Sequence, residues 1–180
     1  MQYKIAVSGA AETDNCPKKA NALANDVGKE IIRQGCILIT GATTGIPYHS
    51  AIGAKKVNGV SIGFSPAASE ISHLKKYRLP IDAFDVIVYT GFGYAGRNLL
   101  MTRAADAVIV ICGRMGTLNE FTIAFEDEKP IGILVGSGGT ADAIKGIIKH
   151  PFRGKMNVVY EEDPKKLVRE VIKLIKRSKK

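Results

Sequence analysis

The sequence predicts an α/β fold: a Rossmann-like, doubly wound, mostly parallel sheet of about seven strands with helices on both faces. Short apolar runs rich in β-branched residues alternate with helical patterns along almost the whole chain. Several of these runs, such as residues 107–112 (AVIVIC), are apolar at consecutive positions, as expected of parallel strands that are covered on both faces. No long linker, internal repeat or low-complexity tract interrupts the pattern, so we expect one domain over residues 1–180.

The same patterns define the expected elements in order. The predicted strands are 4–8, 36–40, 60–64, 85–90, 107–112, 131–135 and 157–160. The predicted helices are 16–34, 48–57, 95–105, 117–128, 140–149 and 164–176. We expect Asp14 and Asn15 to cap the first helix and Gly35 to end it, and Asp163 with Pro164 to open the last. The irregular stretch 65–83 is expected to form a surface excursion between the third and fourth strands.

Composition excludes several classes of protein. The chain of 180 residues is 46% hydrophobic and 24% charged, which is too apolar for a disordered protein. No charge-free apolar run approaches the roughly 20 residues that a membrane-spanning helix needs. The first ten residues resemble a strand more than a signal peptide. We therefore expect a cytoplasmic protein without a membrane partner.

The cysteines and histidines do not form a recognisable metal or disulfide pattern. Cys16, Cys36 and Cys112 are odd in number, widely separated and without a CxxC pair, which favours three buried free thiols. The three histidines, at positions 49, 73 and 150, are also far apart in the sequence. We therefore expect neither a metal site nor a disulfide framework.

The net charge of +9 invites a nucleic-acid partner, but most of it belongs to one segment. Residues 163–180 hold eight basic and two acidic side chains, whereas the rest of the chain is only slightly basic. Apolar residues recur at helical spacing in the same segment, which predicts a packed basic amphipathic helix over about 163–177. We therefore interpret the charge as the solvated face of this helix and consider nucleic-acid binding unlikely.

Small and hydroxylated residues follow four of the predicted strands. In parallel sheets these strand ends meet helix N-termini, where backbone N–H groups and the helix dipole bind anions. Four such loops at one edge predict a phosphate or nucleotide site, although neither a Walker A sequence nor a GxGxxG after the first strand is present. The candidate binding residues from the first three of these loops are Ser8, Gly9, Gly41, Thr43, Thr44, Gly45, Gly91, Gly93 and Asn98.

The fourth loop, Gly113–Glu120, is the most specific of the four. It leads from a buried strand into a helix and adds Gly113, Arg114, Gly116 and Thr117 to the candidate binding residues. Thr117 suits either a helix cap or a hydrogen bond to phosphate. Glu120 suits either a capping box with Thr117 or a role in chemistry. The residues alone leave both alternatives open.

Residues 112–120 (CGRMGTLNE) resemble the PGGxGTxxE signature of the Lonely Guy-type family, long labelled "possible lysine decarboxylases". Residues 91–101 are similar to the family's arginine-bearing segment, and residues 40–45 occupy the place of its glycine-rich loop. The resemblance covers most of residues 1–150 and is closer to the uncharacterised prokaryotic branch than to the plant enzymes.

The resemblance implies a nucleoside 5′-monophosphate phosphoribohydrolase that cleaves the N-glycosidic bond without metal or cofactor. It makes Arg97 and Glu120 the catalytic pair, with the phosphoribosyl group held by Gly113, Gly116 and Thr117. It also implies a homodimer or larger homo-oligomer. We expect the N-terminus of the predicted helix 117–128 to keep Glu120 ionised.

Four departures from the family pattern keep other functions open. The proline of the signature is Cys112. The second glycine is Arg114, which either adds a phosphate contact or obstructs the pocket, and the usual Arg-Lys pair is Arg97-Asn98. The turn after Thr43 also differs from the family's. A non-catalytic carrier or sensor of a nucleotide-like ligand, such as molybdenum cofactor, is the alternative, and a DNA-processing-related binder is a weaker one. Lysine decarboxylation is rejected because the four loops hold no lysine for a pyridoxal phosphate Schiff base.

Overall fold

Seven strands and six α-helices alternate along residues 1–148 and 157–179, which are the residues described by the computed structural model. The strands are β1 Lys4–Gly9, β2 Ile37–Thr40, β3 Ser61–Ser65, β4 Val86–Tyr89, β5 Ala107–Ile111, β6 Ile131–Leu134 and β7 Val158–Glu161. The helices are α1 Ala20–Arg33, α2 Ile46–Lys55, α3 Gly93–Ala104, α4 Met115–Glu126, α5 Gly139–Ile147 and α6 Pro164–Ser178. Lys149, the predicted end of the fifth helix, and His150 lie outside the described residues.

The strands form one sheet in the order β4-β3-β2-β1-β5-β6-β7, and every neighbouring pair is parallel. The chain winds outward from β1 to β4 and then returns to add β5, β6 and β7 on the other side. The direction of winding therefore reverses between β1 and β5, where open α/β sheets bind their ligands. The predicted fold class is confirmed.

Each face of the sheet is covered by three helices. One core packs α1, α2 and α6 against residues such as Ile5 and Ile109, and the other packs α3, α4 and α5 against residues such as Ala6 and Val108. All five residues of β5 are buried, because both of its faces are covered. This burial explains why β5 is an uninterrupted apolar run in the sequence.

The first helix begins later than predicted. α1 starts at Ala20, is preceded by Lys19 at the N-cap, and has no side-chain cap, so the expected capping by Asp14 and Asn15 is wrong. The preceding residues form turns in which Cys16 N–H donates to the Thr13 carbonyl oxygen. These turns bring Cys16 towards β5, where it has a covalent partner described below.

The predicted surface excursion contains a short π-helix, Ser72–Lys76, that the sequence pattern did not reveal. Its anchor is His73, which is fully buried. The ring accepts a hydrogen bond from Ser65 Oγ at 2.8 Å when its other nitrogen donates to the Pro80 carbonyl oxygen at 3.1 Å. These two bonds hold an otherwise irregular segment against β3.

The last helix, α6, has the predicted cap and amphipathic character. Asp163 accepts a hydrogen bond from Lys166 N–H at 2.8 Å, and the apolar side of the helix packs against α1 and the sheet. Among the described residues, no helix has the length and apolar character needed to cross a bilayer.

Candidate functional site

A cavity of about 400 Å³ opens at the carboxyl ends of β1 and β5, between α3 and α4. Its position matches the reversal of the winding direction, so the topology alone accounts for its location. Its size is within the range of small-molecule sites. The lining residues are Gly9, Ala10, Ala11, Glu12, Thr43, Tyr94, Arg97, Asn98, Arg114, Gly116, Thr117 and Glu120.

Arg97 is a buried cation in the wall of this cavity. The side chain extends from α3 against Gly41, where a Cβ atom would lie 1.6 Å from its Nη1 atom, so a larger residue at position 41 would displace the guanidinium. The residue is only 5% exposed, and its Nε atom has no hydrogen-bond partner among the described residues. Burial lowers the pKa of the guanidinium, and the negative charge of Glu120 opposes that shift. An unpartnered buried donor of this kind is suited to bind an oxygen of a ligand.

Glu120 lies in the same cavity on α4 and accepts a short hydrogen bond from the Ser8 hydroxyl. The Asn98 amide lies 2.8 Å from Glu120 Oε1 and 2.9 Å from the Tyr94 carbonyl oxygen. Since both neighbours are acceptors, the NH₂ group of Asn98 must face them and donate. Asn98 therefore binds the carboxylate at the position where the family's lysine would supply a cation.

Burial raises the pKa of Glu120, and Arg97 and the Ser8 hydroxyl partly oppose the shift. The carboxylate is on the sixth residue of α4, beyond the reach of the helix N-terminus, so the expectation that this terminus keeps it ionised is wrong. Of the two alternatives for Glu120, the capping box with Thr117 is wrong, because Arg114 is the N-cap and Thr117 lies inside the helix. Glu120 faces the sheet rather than the helix end.

Arg114 lies at the rim of the cavity and does not fill it. Its Nη1 atom forms an ion pair with Glu12 Oε2 at 2.8 Å, and both side chains are more than half exposed. The sequence left open whether Arg114 adds a phosphate contact or obstructs the pocket. Its position at the rim leaves the cavity accessible. Behind Arg114, Gly113 has a φ of +102° and a Cβ there would overlap the Thr117 side chain, so the loop needs glycine at that position.

The remaining sequence candidates are not among the residues that line the cavity. Ser8 positions Glu120, and Gly41 accommodates Arg97. Thr44 donates to the Ala11 carbonyl oxygen at 2.9 Å, and Gly45, with a φ of +65°, is the N-cap of α2. Gly91, Gly93 and Gly113 also have positive φ values and turn the chain at the strand ends. The glycine pattern indicated the edge of the sheet at which the cavity lies, and several of these glycines have backbone conformations that turn the chain there.

Four residues that line the cavity were not among the predicted binding residues. Ala10, Ala11 and Glu12 come from the loop after β1, and Tyr94 lies on α3 and is half exposed. Residues 10–12 directly follow the first strand. This position could have identified them as lining residues, because the loops after parallel strands all lie at the same edge of the sheet. No motif distinguishes Glu12, because its role depends on an arginine that is 102 residues away.

The cysteine prediction is wrong for two of the three residues. Cys16 and Cys112 form a disulfide, and only Cys36 is a buried free thiol among the described cysteines. The bond joins the loop after β1 to the end of β5, so it links two walls of the cavity. Sequence spacing could not indicate this pair, because the two residues are 96 positions apart. The cytoplasmic location, which rested partly on free thiols, loses that support and stays a prediction.

Comparisons with known proteins agree with this architecture. A relative from Archaeoglobus fulgidus, itself an uncharacterized protein, is 30% identical over 131 residues, which cover 73% of this chain and 79% of the relative. The molybdenum cofactor binding protein of Rippkaea orientalis is 27% identical and has a TM-score of 0.75, with 100% of this chain and 99% of that chain covered. The Moco carrier protein of Chlamydomonas reinhardtii shares the fold. It is 24% identical and has a TM-score of 0.79, and the match covers 98% of this chain and 99% of that chain.

The sequence also matches a family model over residues 2–168, which include all of the cavity and all seven strands. The chain therefore belongs to the SLOG cluster4 family.

Proposed function

We propose that the cavity binds a nucleoside 5′-monophosphate and hydrolyses its N-glycosidic bond to free base and ribose 5-phosphate. The observation that carries the proposal is the burial of Arg97 and Glu120 in one cavity beside the N-terminus of α4. The first N–H groups of this helix have no partner within it and are suited to bind a phosphate. Arg97 supplies a donor for the oxygens of the ribose or phosphate.

The residues present support a direct hydrolysis. Water attacks C1′ of the ribose, the new C–O bond forms, and the C–N bond to the base breaks. Glu120 takes the proton lost by the water and stabilises the positive charge that develops on the sugar. The base leaves with a proton from solvent. Glu120 must be ionised for this role, so its raised pKa limits the reaction on the acidic side.

The test is incubation with a panel of nucleoside monophosphates, followed by chromatography of the released base and thermal-shift measurement of binding. Glu120→Gln should abolish release of base and retain binding, whereas Arg97→Ala should weaken both. Asp82→Asn, a change at a surface residue outside the cavity, is the control and should behave as the wild type. The proposal fails if no monophosphate either stabilises the protein or yields free base.

A non-catalytic carrier is the second candidate. Its support is the full-length similarity, at 27% identity, to the molybdenum cofactor binding protein of Rippkaea orientalis. Asn98 also holds Glu120 in a hydrogen bond that a catalytic carboxylate would have to exchange for water. Tight binding of a nucleotide or of molybdenum cofactor without any release of base would favour the carrier over the hydrolase.

We also propose that the chain forms a homodimer through β4 and α3. β4 is an edge strand, and its residues Val86 and Val88 are 49% and 40% exposed on the face that carries α3. On α3 itself, Leu99 and Leu100 are more than one-third exposed. An apolar surface of this kind favours association with a second copy. Sedimentation should give a dimer mass for the wild type and a monomer for Val88→Lys/Leu100→Lys, and a monomeric wild type would refute the proposal.

A further inference from the structure

The rim of the cavity carries an aromatic side chain in an unusual position. Tyr94 lies three residues before Arg97 on α3, so the two side chains extend from the same side of the helix, with Tyr94 nearer the mouth. It is half exposed and is the one aromatic side chain among the residues that line the cavity. A flat apolar surface is therefore placed directly outside the buried Arg97.

Tyr94 is supported from behind by the surface excursion. The rings of Tyr94 and Tyr77 are 5.6 Å apart at 79°, an edge-to-face contact that covers at most one face of Tyr94. Tyr77 directly follows the π-helix Ser72–Lys76, and its N–H donates to the Ser72 carbonyl oxygen at 3.0 Å. Since the buried His73 anchors this segment, Tyr77 is a fixed support rather than part of a loose loop.

We propose that Tyr94, supported by Tyr77, is the surface on which the base of the ligand stacks, and that it selects purine nucleotides. The inference rests on the proposed function, because it assigns the contact of the base, and the proposed function assigns the contacts of the phosphoribosyl end of the same nucleotide. The α4 N-terminus and Arg97 take the phosphoribosyl end, which leaves the base directed along the wall towards the mouth. A purine covers more of a tyrosine ring than a pyrimidine does, so stacking favours purines.

The surroundings of the Tyr94 hydroxyl suit this role. Burial raises the pKa of the phenol, while Arg97 on one side opposes this shift and Tyr77 and Glu12 add to it. The hydroxyl therefore keeps its proton at neutral pH. The ring can stack while the hydroxyl donates a hydrogen bond to a ring nitrogen or to the ligand's sugar.

The experiment compares AMP, CMP and ribose 5-phosphate by calorimetry on the full chain with its disulfide intact, and each protein is measured in parallel with Glu120→Gln, so that the nucleotides are not hydrolysed during the titration. The wild type should bind AMP more tightly than CMP and ribose 5-phosphate. Tyr94→Ala should weaken AMP binding roughly tenfold and leave ribose 5-phosphate within about twofold, because only the stacking contact is removed. Tyr94→Phe should retain most of the affinity for AMP, and Tyr77→Ala should lose part of it.

Phe92→Ala is the matched control, because Phe92 is an exposed aromatic residue two positions before Tyr94 that does not line the cavity. It should bind all three ligands as the wild type does. Equal affinity of the wild type for AMP and ribose 5-phosphate, or equal losses for both in Tyr94→Ala, would overturn the stacking surface and leave the phosphoribosyl site intact. Failure of the wild type to bind any of the three would refute both proposals.

Discussion

At the scale of single residues, the cavity contains two opposite charges that burial disfavours. Arg97 and Glu120 are both less than one-tenth exposed, and burial lowers the pKa of the arginine and raises that of the glutamate. No ion pair within 4.0 Å joins the two side chains, although both belong to the described part of the chain. The two buried charges are therefore not neutralised by direct pairing with each other, and ionisable groups with shifted pKa values in one cavity are typical of a binding or catalytic site.

The hydroxyl of Ser8 offers a test of the role of Glu120. Its hydrogen bond stabilises the ionised carboxylate, so Ser8→Ala should raise the pKa of Glu120 still further. If hydrolysis needs the carboxylate, the acidic limb of the pH–rate profile should move to higher pH in this variant. Ser50→Ala, which removes a buried hydroxyl from α2, should leave the profile unchanged. An unshifted profile in Ser8→Ala would exclude Glu120 as the titrating base.

Asp106 is a charged residue that stabilises the fold at the amino ends of the strands, opposite the edge of the sheet that carries the cavity. Burial of Asp106 would by itself raise its pKa, but the Lys4 N–H and the ammonium groups of Lys179 and Lys4 outweigh burial and lower the pKa to about 2. All three donors lie within 2.9 Å of the carboxylate. The depressed pKa means that the ionised form stabilises the folded chain.

Asp106→Asn should therefore lower the free energy of unfolding at pH 7 by about 1–2 kcal/mol. The stabilisation is complete above the ordinary pKa of aspartate and is lost as pH falls from about 4 to about 2, so the variant and the wild type should converge there. Urea titrations at pH 7 and pH 2.5 measure the difference. Asp26→Asn, which removes an exposed ion pair with Lys29, should cost less than about 0.5 kcal/mol at either pH.

At the scale of elements, the loop between β1 and α1 forms one wall of the cavity and is held at several points. Ile46 N–H donates to the Ala10 carbonyl oxygen at 2.9 Å, and Thr44 holds the next carbonyl oxygen. The Cys16–Cys112 disulfide fixes the far end of the loop to β5. The wall that carries Glu12 is therefore tied to both neighbouring strands.

Loss of the disulfide should destabilise the protein and loosen this wall. Cys16→Ser should lower the free energy of unfolding by about 2–4 kcal/mol, because the bond closes a long segment of chain. It should also weaken binding of AMP, since residues 10–12 lose one of their anchors. Denaturant titration and calorimetry measure the two effects, and a dithiol reductant should reproduce them in the wild type.

The free thiol provides the control for this prediction. Cys36→Ala should cost about 1 kcal/mol or less and should leave ligand affinity unchanged, because Cys36 lies at the amino end of β2, away from the cavity. If Cys16→Ser and the wild type gave the same stability and the same AMP affinity, the hydrogen bonds of the loop would be sufficient to hold this wall without the disulfide.

At the scale of the whole molecule, the basic charge and the cavity lie at different edges of the sheet. The end of α6 reaches Asp106, just before β5, where Lys179 binds it, whereas the cavity lies at the carboxyl ends of the strands. Several α6 cations are paired, such as Arg169 with Glu30 and Lys173 with Glu170. The net charge of +9 is therefore a poor guide to the ligand of the cavity.

Neutralising the end of α6 should thus leave the cavity unaffected. Lys173→Gln/Lys176→Gln should bind AMP within about twofold of the wild type. Single-stranded DNA should bind only weakly, with a Kd of about 10⁻⁶ to 10⁻⁴ M at physiological salt, as expected of non-specific contacts to phosphates. Titration of a fluorescent oligonucleotide measures this affinity, and nanomolar binding lost in the double variant would instead support a nucleic-acid function.

Local patterns in the sequence predict the strands, most of the helices and the parallel sheet, because the spacing of apolar residues and the residues that end helices act over a few neighbouring positions. The run 107–112 and the Asp163–Pro164 cap are examples that the structure reproduces. The same local patterns also indicated the edge of the sheet at which the glycine-rich loops meet.

Long-range packing, in contrast, establishes which residues share the cavity and which charges meet. The contacts of Glu12 with Arg114, Cys16 with Cys112 and Ser8 with Glu120 join positions about 100 residues apart. No local pattern encodes such pairs, because they depend on how the strands are ordered in the sheet. The burial that shifts the pKa values of Arg97 and Glu120 arises from that same packing, and so the chemistry of the site exists only in the folded chain.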